Sequence, residues 1–191
     1  MRTVVIQNAT GIYKSMLYLT AGHHYELCRR YDYSYQVSHT IRTDRHPVWE
    51  RVYLIRDALR QGYERIVWID ADALWLHGTL DTQQQAAFGM VWHHNPIYDH
   101  YNAGVMHILN RDGLTSFVDD WENSRDDGHQ WKEQHCLNLM LKDRPFMAER
   151  LGYEWNSLDH DPDHRSDSPR IVAWHGRPEL ACEGIIKWLS K

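Results

Sequence analysis

Two aspartates one residue apart, Asp70 and Asp72, have the types and spacing to do chemistry. They follow the apolar run 65–69, which is too short for a helix and is typical of a buried parallel strand. Alternate residues of an extended chain point to the same side, and open α/β sheets bind ligands at the carboxyl ends of their strands. Two carboxylates there suit a divalent cation, Mg²⁺ or Mn²⁺, bridging a diphosphate. For an isolated Asp-X-Asp, the simpler interpretation is one acid capping a turn beside a solvated acid.

The elements that must position these acids alternate between strands and helices. Strands are predicted over residues 3–7, 33–38, 65–69, 88–92, 103–109 and 171–174, and helices over 14–30, 47–61, 114–121, 131–141 and 180–189. Residues 157–169 contain almost nothing apolar, which predicts a solvated loop. The alternation predicts an α/β fold with a mostly parallel central sheet flanked by helices, in a single domain over residues 1–191.

Length, charge and cysteine content limit the classes of protein to consider. A chain of 191 residues with 42% hydrophobic residues is long enough to bury one core. It has 21 basic and 26 acidic residues and no basic run, which argues against a nucleic-acid partner. Three cysteines without metal-type spacing argue against a disulfide framework. No apolar segment reaches the ~18 residues of a membrane span and no secretion signal is visible, so we expect a cytoplasmic protein.

Several blocks of this sequence occur in an order that is shared with a known group of enzymes. They are 25–33, the Asp-X-Asp unit within 49–76, the Asn-Ala-Gly-Val motif within 101–106, the Glu-Gln pair within 132–138, the Trp-Asn pair within 153–156, and the His-Gly-Arg-Pro element within 174–178. In this order they resemble the retaining glycosyltransferases of the GT-A fold. The likeness is greatest to the glycogenin and lipopolysaccharide galactosyltransferase family and to the yeast α-galactosyltransferase and mannan-polymerase-subunit family.

This resemblance implies a role for each matching residue. Asp70, Asp72 and His175 would hold Mn²⁺ or Mg²⁺. Gln134 would lie at the reacting face of the sugar, and Glu133 would hold sugar hydroxyls. The substrate-binding residues implied by the later blocks are Asn102, Ala103, Gly104, Trp155, Asn156, Gly176 and Arg177.

The turn after the first strand adds two candidates from position alone. Asn8 and Gly11 could contact the base and ribose of a nucleotide, although any turn explains these residue types equally well. Three histidines before the Asn-Ala-Gly-Val motif, His93, His94 and His100, are either ordinary loop residues or contacts for the donor or acceptor.

The sequence also departs from the family pattern. Glu133 stands where aspartate is frequent, and His135 replaces the second acid of that block. Arg177 and Glu179 stand where lysine and tryptophan are usual. The chain is shorter than most relatives, and this shortening affects the portion that would bind the acceptor.

The expected function is metal-dependent, retaining transfer of a hexose from a nucleotide sugar, with UDP the favoured nucleotide, to a glycan, small-molecule or other acceptor. Three other interpretations share parts of the motif set. A haloacid-dehalogenase-like phosphatase also places Asp-X-Asp at a strand end, but Leu74 stands where that motif usually carries threonine or valine. A nucleotidyltransferase would share the cation and the diphosphate. A nucleotide-sugar or glycan binding module would keep the site without turnover.

Overall fold

The computed structural model describes residues 1–94, 99–125, 128–175 and 177–191. Its strands are β1 (Thr3–Asn8), β2 (Ser34–Ser38), β3 (Arg65–Ile69), β4 (Ala73–Trp75), β5 (Phe88–His93), β6 (His100–Leu109), β7 (Ala148–Leu151), β8 (Ser157–Leu158) and β9 (Ile171–Ala173). Its helices are α1 (Lys14–Arg30), α2 (Glu50–Arg60), α3 (Leu114–Asn123), α4 (Lys132–Asp143) and α5 (Pro178–Leu189). None of these helices is long and apolar enough to cross a membrane.

The central sheet has six strands in the order β2-β1-β3-β6-β5-β7. The pairs β1–β2, β1–β3 and β5–β7 are parallel, whereas β6 runs antiparallel to both of its neighbours, β3 and β5. Among the described strands of this sheet, β6 is therefore the one that points the other way. The predicted α/β fold with a mostly parallel central sheet is confirmed.

Apolar side chains from both faces of the central sheet are buried. In β3, Ile66 and Trp68 pack into a cluster with α2, α3 and α4, while Val67 and Ile69 pack on the opposite face. Burial on both faces is the reason that β3 is apolar at every position after Arg65. The segment Asp70–Asp72 comes directly after β3. The packing of β3 on both faces therefore fixes where this segment begins.

A second sheet of three short strands, in the order β4-β9-β8, lies beyond the end of β3. Strands β4 and β9 are antiparallel, and β8 and β9 are parallel. The sequence patterns predicted β9 but did not predict β4, β7 or β8. Each of these three strands has four residues or fewer, which is too short to show a hydrophobic period.

The prediction of a solvated loop over residues 157–169 is wrong in part. Ser157 and Leu158 form β8 and are buried, and Leu158 packs in the cluster that contains Trp155 and Ile171. His164 is also buried, because its ring packs against His93 at a centroid distance of 4.7 Å. Polar composition indicates exposure only when the polar groups have no partners, and here Ser157 Oγ accepts a hydrogen bond from Ser166 N at 2.9 Å.

Candidate active site

The first acid of the motif, Asp70, lies directly after β3 and beside the beginning of β6. Its backbone N–H donates to Gly104 O at 2.8 Å. Because β6 is antiparallel to β3, the amino-terminal end of β6 is the end that meets the carboxyl end of β3. This reversal brings the motif Asn102, Ala103, Gly104 to the same edge as the acids.

The second acid and the histidine are brought together by the small sheet. Asp72 comes directly before β4, and His175 follows β9 after one residue. Ala73 pairs with Ala173 in the antiparallel ladder, and Trp174 N donates to Asp72 O at 3.0 Å. As a result, His175 Nδ1 lies 3.4 Å from Asp72 Oδ1.

Asp70, Asp72 and His175 form a compact set of ligand atoms. One atom from each side chain lies within 4.8 Å of the others. Two carboxylates and an imidazole are a donor set that Mn²⁺ or Mg²⁺ accepts. Asp72 Oδ1 is buried and, within the described part of the chain, receives no hydrogen bond. A buried carboxylate oxygen without a donor is unfavourable unless a cation satisfies it, so the residues present fit a metal ion.

The charges of this triad are strongly coupled. Burial raises the pKa of Asp70, and the neighbouring charge of Asp72 raises it further, although Arg51 opposes both effects. Burial alone would also raise the pKa of Asp72, but His175 more than offsets this and holds that pKa below its usual range. In return, Asp72 and Asp70 raise the pKa of His175 against the effect of burial. These three pKa shifts have a common cause: the two carboxylates are buried close together, where a positive partner stabilises them.

Arg51 of α2 is a site residue that the sequence patterns missed. Its guanidinium donates to Asp70 Oδ1 at 3.0 Å and to Ala103 O at 2.7 Å, and its Nε lies 3.2 Å from Glu133 Oε1. Trp68 Nε1 also donates to Asp70 Oδ1, at 2.7 Å. A signal existed in the sequence, because Arg51 is four residues before Ile55 and so lies on the apolar face of α2. A charged residue on such a face indicates a buried partner.

Glu133 and Gln134 begin α4 and point into the same region. Gln134 Oε1 accepts a hydrogen bond from Ala103 N at 2.8 Å, which holds the amide against β6. Within the described residues, Gln134 Nε2 makes no hydrogen bond that would compete with a ligand. Glu133 is 2% exposed, and burial raises its pKa to about 7 although Arg51 acts in the other direction.

The two asparagines of the later motifs contact each other, and one of them, Asn156, contacts His175. Asn102 Oδ1 accepts from Gly104 N at 2.8 Å and from Asn156 Nδ2 at 3.0 Å. Asn156 Oδ1 lies 2.9 Å from His175 Nε2. A Cβ atom at position 104 would lie 2.0 Å from His175 Cε1, so the ring of His175 occupies the space that the side chain of any other residue would need. Both asparagines are buried, so their polar atoms form the wall behind the triad.

The two residues predicted from the turn after the first strand, Asn8 and Gly11, lie at the end of β1 and at the start of the 3-10 turn that follows it. Asn8 Nδ2 donates to Ser38 O at 3.2 Å, which ties the end of β1 to the end of β2. Gly11 has φ +58° and begins a short 3-10 turn that ends at Tyr13. Burial raises the pKa of the Tyr13 hydroxyl, and the charges of Asp72 and Asp70 act in the same direction.

Trp155 and Arg177 have different surroundings from those in the centre. Trp155 is buried and packs edge-to-face on His107 at 4.7 Å, which is a core position. The Arg177 side chain is 58% exposed and pairs with Glu179 at 3.5 Å. The predicted residue Gly176 lies outside the described residues. Of the three candidate histidines, His93 contacts Asn102, with Nδ1 at 3.3 Å from Asn102 Nδ2.

A family model with the description nucleotide-diphospho-sugar transferase matches residues 14–161. The chain belongs to this family. The matched range contains both aspartates, both asparagines and the Glu133-Gln134 pair, and it ends before His175. Membership makes the protein a glycosyltransferase with a nucleotide-sugar donor and an acceptor, and it agrees with the resemblance drawn from the motifs at this coarser level. No curated protein matches the chain.

Solved glycosyltransferase structures share the fold. One, involved in glycosylation of the major capsid of PBCV-1, superposes with a TM-score of 0.77 at 15% identity, covering 98% of this chain and 100% of that one. The glycosyltransferase GlyE of Streptococcus pneumoniae TIGR4 gives 0.63 at 14% identity, with 100% of this chain and 64% of that one covered. Mouse xyloside xylosyltransferase 1 gives 0.57 at 10% identity, covering 93% and 99%. These likenesses confirm the expected GT-A-like fold.

Proposed function

We propose that this protein is a metal-dependent, retaining glycosyltransferase that moves a hexose from a UDP-sugar to a glycan or other small-molecule acceptor. The observation that carries the proposal is the triad of Asp70, Asp72 and His175 at the edge where β3, β4, β6 and β9 meet. Family membership favours glycosyl transfer over the phosphatase and nucleotidyltransferase interpretations of the same Asp-X-Asp motif.

The leaving-group side of the reaction requires stabilisation of negative charge. Mn²⁺ or Mg²⁺ held by the triad would stabilise the charge that develops on the departing diphosphate. Arg177 follows His175 by two residues with its side chain 58% exposed, and it would supply a further positive charge for the phosphates. The guanidinium of Arg51 neutralises Asp70 from the protein side, which limits the repulsion between the two aspartates when no cation is present.

The sugar side of the reaction is assigned to the start of α4. An oxocarbenium-like centre needs a nearby oxygen, and Gln134 supplies a neutral amide. The Ala103 N–H uses one lone pair of Gln134 Oε1, so one lone pair and the Nε2 hydrogens stay available to a substrate. A retaining enzyme needs no carboxylate base opposite the leaving group. Glu133 lies against Arg51. It would hold both the arginine side chain and a sugar hydroxyl in place.

The acceptor, the donor sugar and the setting are further parts of this proposal. The similar structures include enzymes of capsid glycosylation and of xyloside xylosylation. The alternative acceptors to test are therefore proteins, glycans and small sugars, and the alternative donor is a pentose. The chain spans 64% of the length of GlyE, which fits a minimal transferase domain over residues 1–191. The three cysteines are free thiols, in keeping with the proposed cytoplasmic location.

The test is a thermal shift assay of the purified protein with Mn²⁺ and a panel of UDP, GDP and their sugars. A ligand at 100 times its dissociation constant stabilises by about 2.7 kcal/mol, on the order of 5–10 °C for a chain of this size. We expect a shift with UDP compounds that requires the metal. Asp72→Asn should abolish the shift and metal-dependent donor turnover, whereas the matched variant Asp163→Asn, at an exposed position, should keep both.

Two outcomes would contradict the proposal. Absence of any nucleotide shift in folded, metal-loaded protein would exclude the donor site. A metal-dependent shift without transfer or donor hydrolysis would identify a nucleotide-sugar binding module instead.

A further inference from the structure

A buried chain of hydrogen bonds joins the backbone of β6 to the ring of His175. It runs from Gly104 N to Asn102 Oδ1 at 2.8 Å, from Asn156 Nδ2 to the same oxygen at 3.0 Å, and from His175 Nε2 to Asn156 Oδ1 at 2.9 Å. Asn102 is 8% exposed and Asn156 is 0% exposed. Water therefore has little access to the chain, and each group must use the partner that it has.

The direction of every bond in this chain follows from its first member. A backbone N–H can only donate, so the Asn102 atom that faces Gly104 N must be the carbonyl oxygen. That oxygen can only accept, so the Asn156 atom that faces it must be the amide nitrogen. The oxygen of Asn156 is then turned to His175, whose Nε2 must carry a hydrogen.

The tautomer of His175 decides which of its nitrogens is available to a metal. A neutral imidazole with its hydrogen on Nε2 has its lone pair on Nδ1, and Nδ1 lies 3.4 Å from Asp72 Oδ1. Two acceptors then face each other, and within the described residues no hydrogen bond reaches that aspartate oxygen. A cation between them satisfies both atoms.

We propose that Asn156 and Asn102 are positioning residues that hold His175 as its Nε2–H tautomer, so that Nδ1 is the nitrogen that ligates the metal. This inference rests on the proposed metal site. Metal-bound histidines in general donate their second nitrogen to an outer group that fixes the ring. Here the outer group that accepts from His175 is the side-chain amide of Asn156. The orientation of that amide is fixed by the chain of hydrogen bonds that starts at the Gly104 N–H.

The same chain explains two residue choices at this edge of the sheet. Asn102 Nδ2 lies 3.3 Å from His93 Nδ1 and donates to it, so an aspartate at position 102 would lose a bond that the amide makes. Burial lowers the pKa of His93 to about 2, so His93 stays neutral and accepts. An aspartate at position 156 could not donate to Asn102. Both positions therefore require a side chain that donates and accepts.

The tautomer can be read directly by nuclear magnetic resonance. Multiple-bond ¹⁵N–¹H correlation spectra of histidine-labelled, metal-free protein at alkaline pH distinguish Nε2–H from Nδ1–H, and His175→Gln identifies the signal of His175. We expect the Nε2–H form in the wild-type protein. Predominance of Nδ1–H would overturn the proposal without the use of any further variant.

Asn156→Ala tests the role of the chain in metal binding. We expect a mixture of His175 tautomers and a Mn²⁺ dissociation constant about 10–100-fold higher, the usual effect of removing an outer partner of a metal ligand. The matched control is Asn138→Ala, because Asn138 is also buried but bonds to the backbone of Tyr101 and Gln134. The control should keep both the tautomer and the Mn²⁺ affinity. Unchanged values in Asn156→Ala, or equal losses in both variants, would refute the inference.

Failure of this inference differs from failure of the proposed function. A protein that binds Mn²⁺ through an Nε2–H His175 but turns over no nucleotide sugar would keep the inference and lose the function. An active enzyme with the other tautomer would do the reverse.

Discussion

The candidate site has two halves that differ in how completely their polar atoms are paired. The central-sheet half, formed by Asp70, Arg51 and Gln134, bonds within itself and to β6: Asp70 Oδ1 accepts from both Arg51 and Trp68. In the small-sheet half, formed by Asp72 and His175, the two side chains approach to 3.4 Å between His175 Nδ1 and Asp72 Oδ1, and that buried carboxylate oxygen has no donor in the described structure.

This difference separates a half whose polar atoms also stabilise the fold from a half whose polar atoms are left for a ligand. Internally paired charges contribute to folding, since removing one partner leaves the other buried without compensation. A buried group kept unpaired costs folding free energy, which a bound ligand can recover. Substitutions in the central-sheet half should therefore lower the free energy of unfolding of the metal-free protein, and substitutions in the small-sheet half should mainly lower metal affinity.

The largest effect on that free energy should come from Arg51→Met. The change keeps the volume and leaves Asp70 and Glu133 without their shared cation, so we expect a loss of about 3–5 kcal/mol in urea unfolding. Arg29→Met removes a solvent-exposed partner of Glu26 and should cost far less. Equal losses of unfolding free energy in the two variants would show that the buried pairs of Arg51 stabilise the fold no more than an exposed pair does.

A methyl group at the boundary between the halves should come next. In Gly104→Ala the new Cβ would meet His175 Cε1 at 2.0 Å, so either the ring or β6 must move. We expect a loss of about 1–3 kcal/mol, as for other overpacked sites, together with weaker Mn²⁺ binding in calorimetry. A stable variant with wild-type Mn²⁺ affinity would show that the ring does not need the position described here.

Gln134→Ala should have a smaller effect on folding and a larger one on catalysis. It removes the acceptor of the Ala103 N–H, which is worth about 0.5–1.5 kcal/mol. We expect transfer to be slower while UDP affinity is nearly kept, which reads as a loss of transition-state stabilisation. Steady-state kinetics and nucleotide titration separate the two, and a large loss of UDP affinity would move Gln134 to the nucleotide side.

The smallest effect on folding should come from Arg177→Ala. The side chain is 58% exposed and pairs only with the equally exposed Glu179 among the described residues, so the free energy of unfolding should change by less than about 0.5 kcal/mol. If Arg177 contacts the diphosphate, UDP affinity should fall while UMP affinity changes less. Parallel loss of both, or loss of neither, would contradict that role.

Much of this arrangement could be predicted from local patterns. The apolar run of β3 and the acids behind it predicted the strand, its edge and the candidate metal ligands Asp70 and Asp72. The direction of β6 could not be predicted from local patterns, and it matters because Asn102 lies near the start of β6, an end that a parallel strand would have put at the opposite edge. The motif resemblance placed it beside the acids despite that.

Other parts of the site depend on tertiary contacts that leave a weak local signal. Strand β8 has two residues, and its burial depends on packing against β9 and Trp155. Arg51 was visible only as a charge on the apolar face of α2, and its partners lie 19 and 82 positions further along the chain. The hydrogen bonds of Asn156 place it behind His175, whereas its motif alone predicted a contact with substrate.

The ladder between β4 and β9 has a kinetic consequence. It joins Ala73 to Ala173, 100 positions apart, and this pairing is what sets Asp72 beside His175. Closing so long a loop costs entropy that is recovered only when distant contacts form, and this makes such pairings slow. We therefore expect the proposed ligand set to be among the last features to assemble, and an incompletely folded chain would not hold the proposed cation.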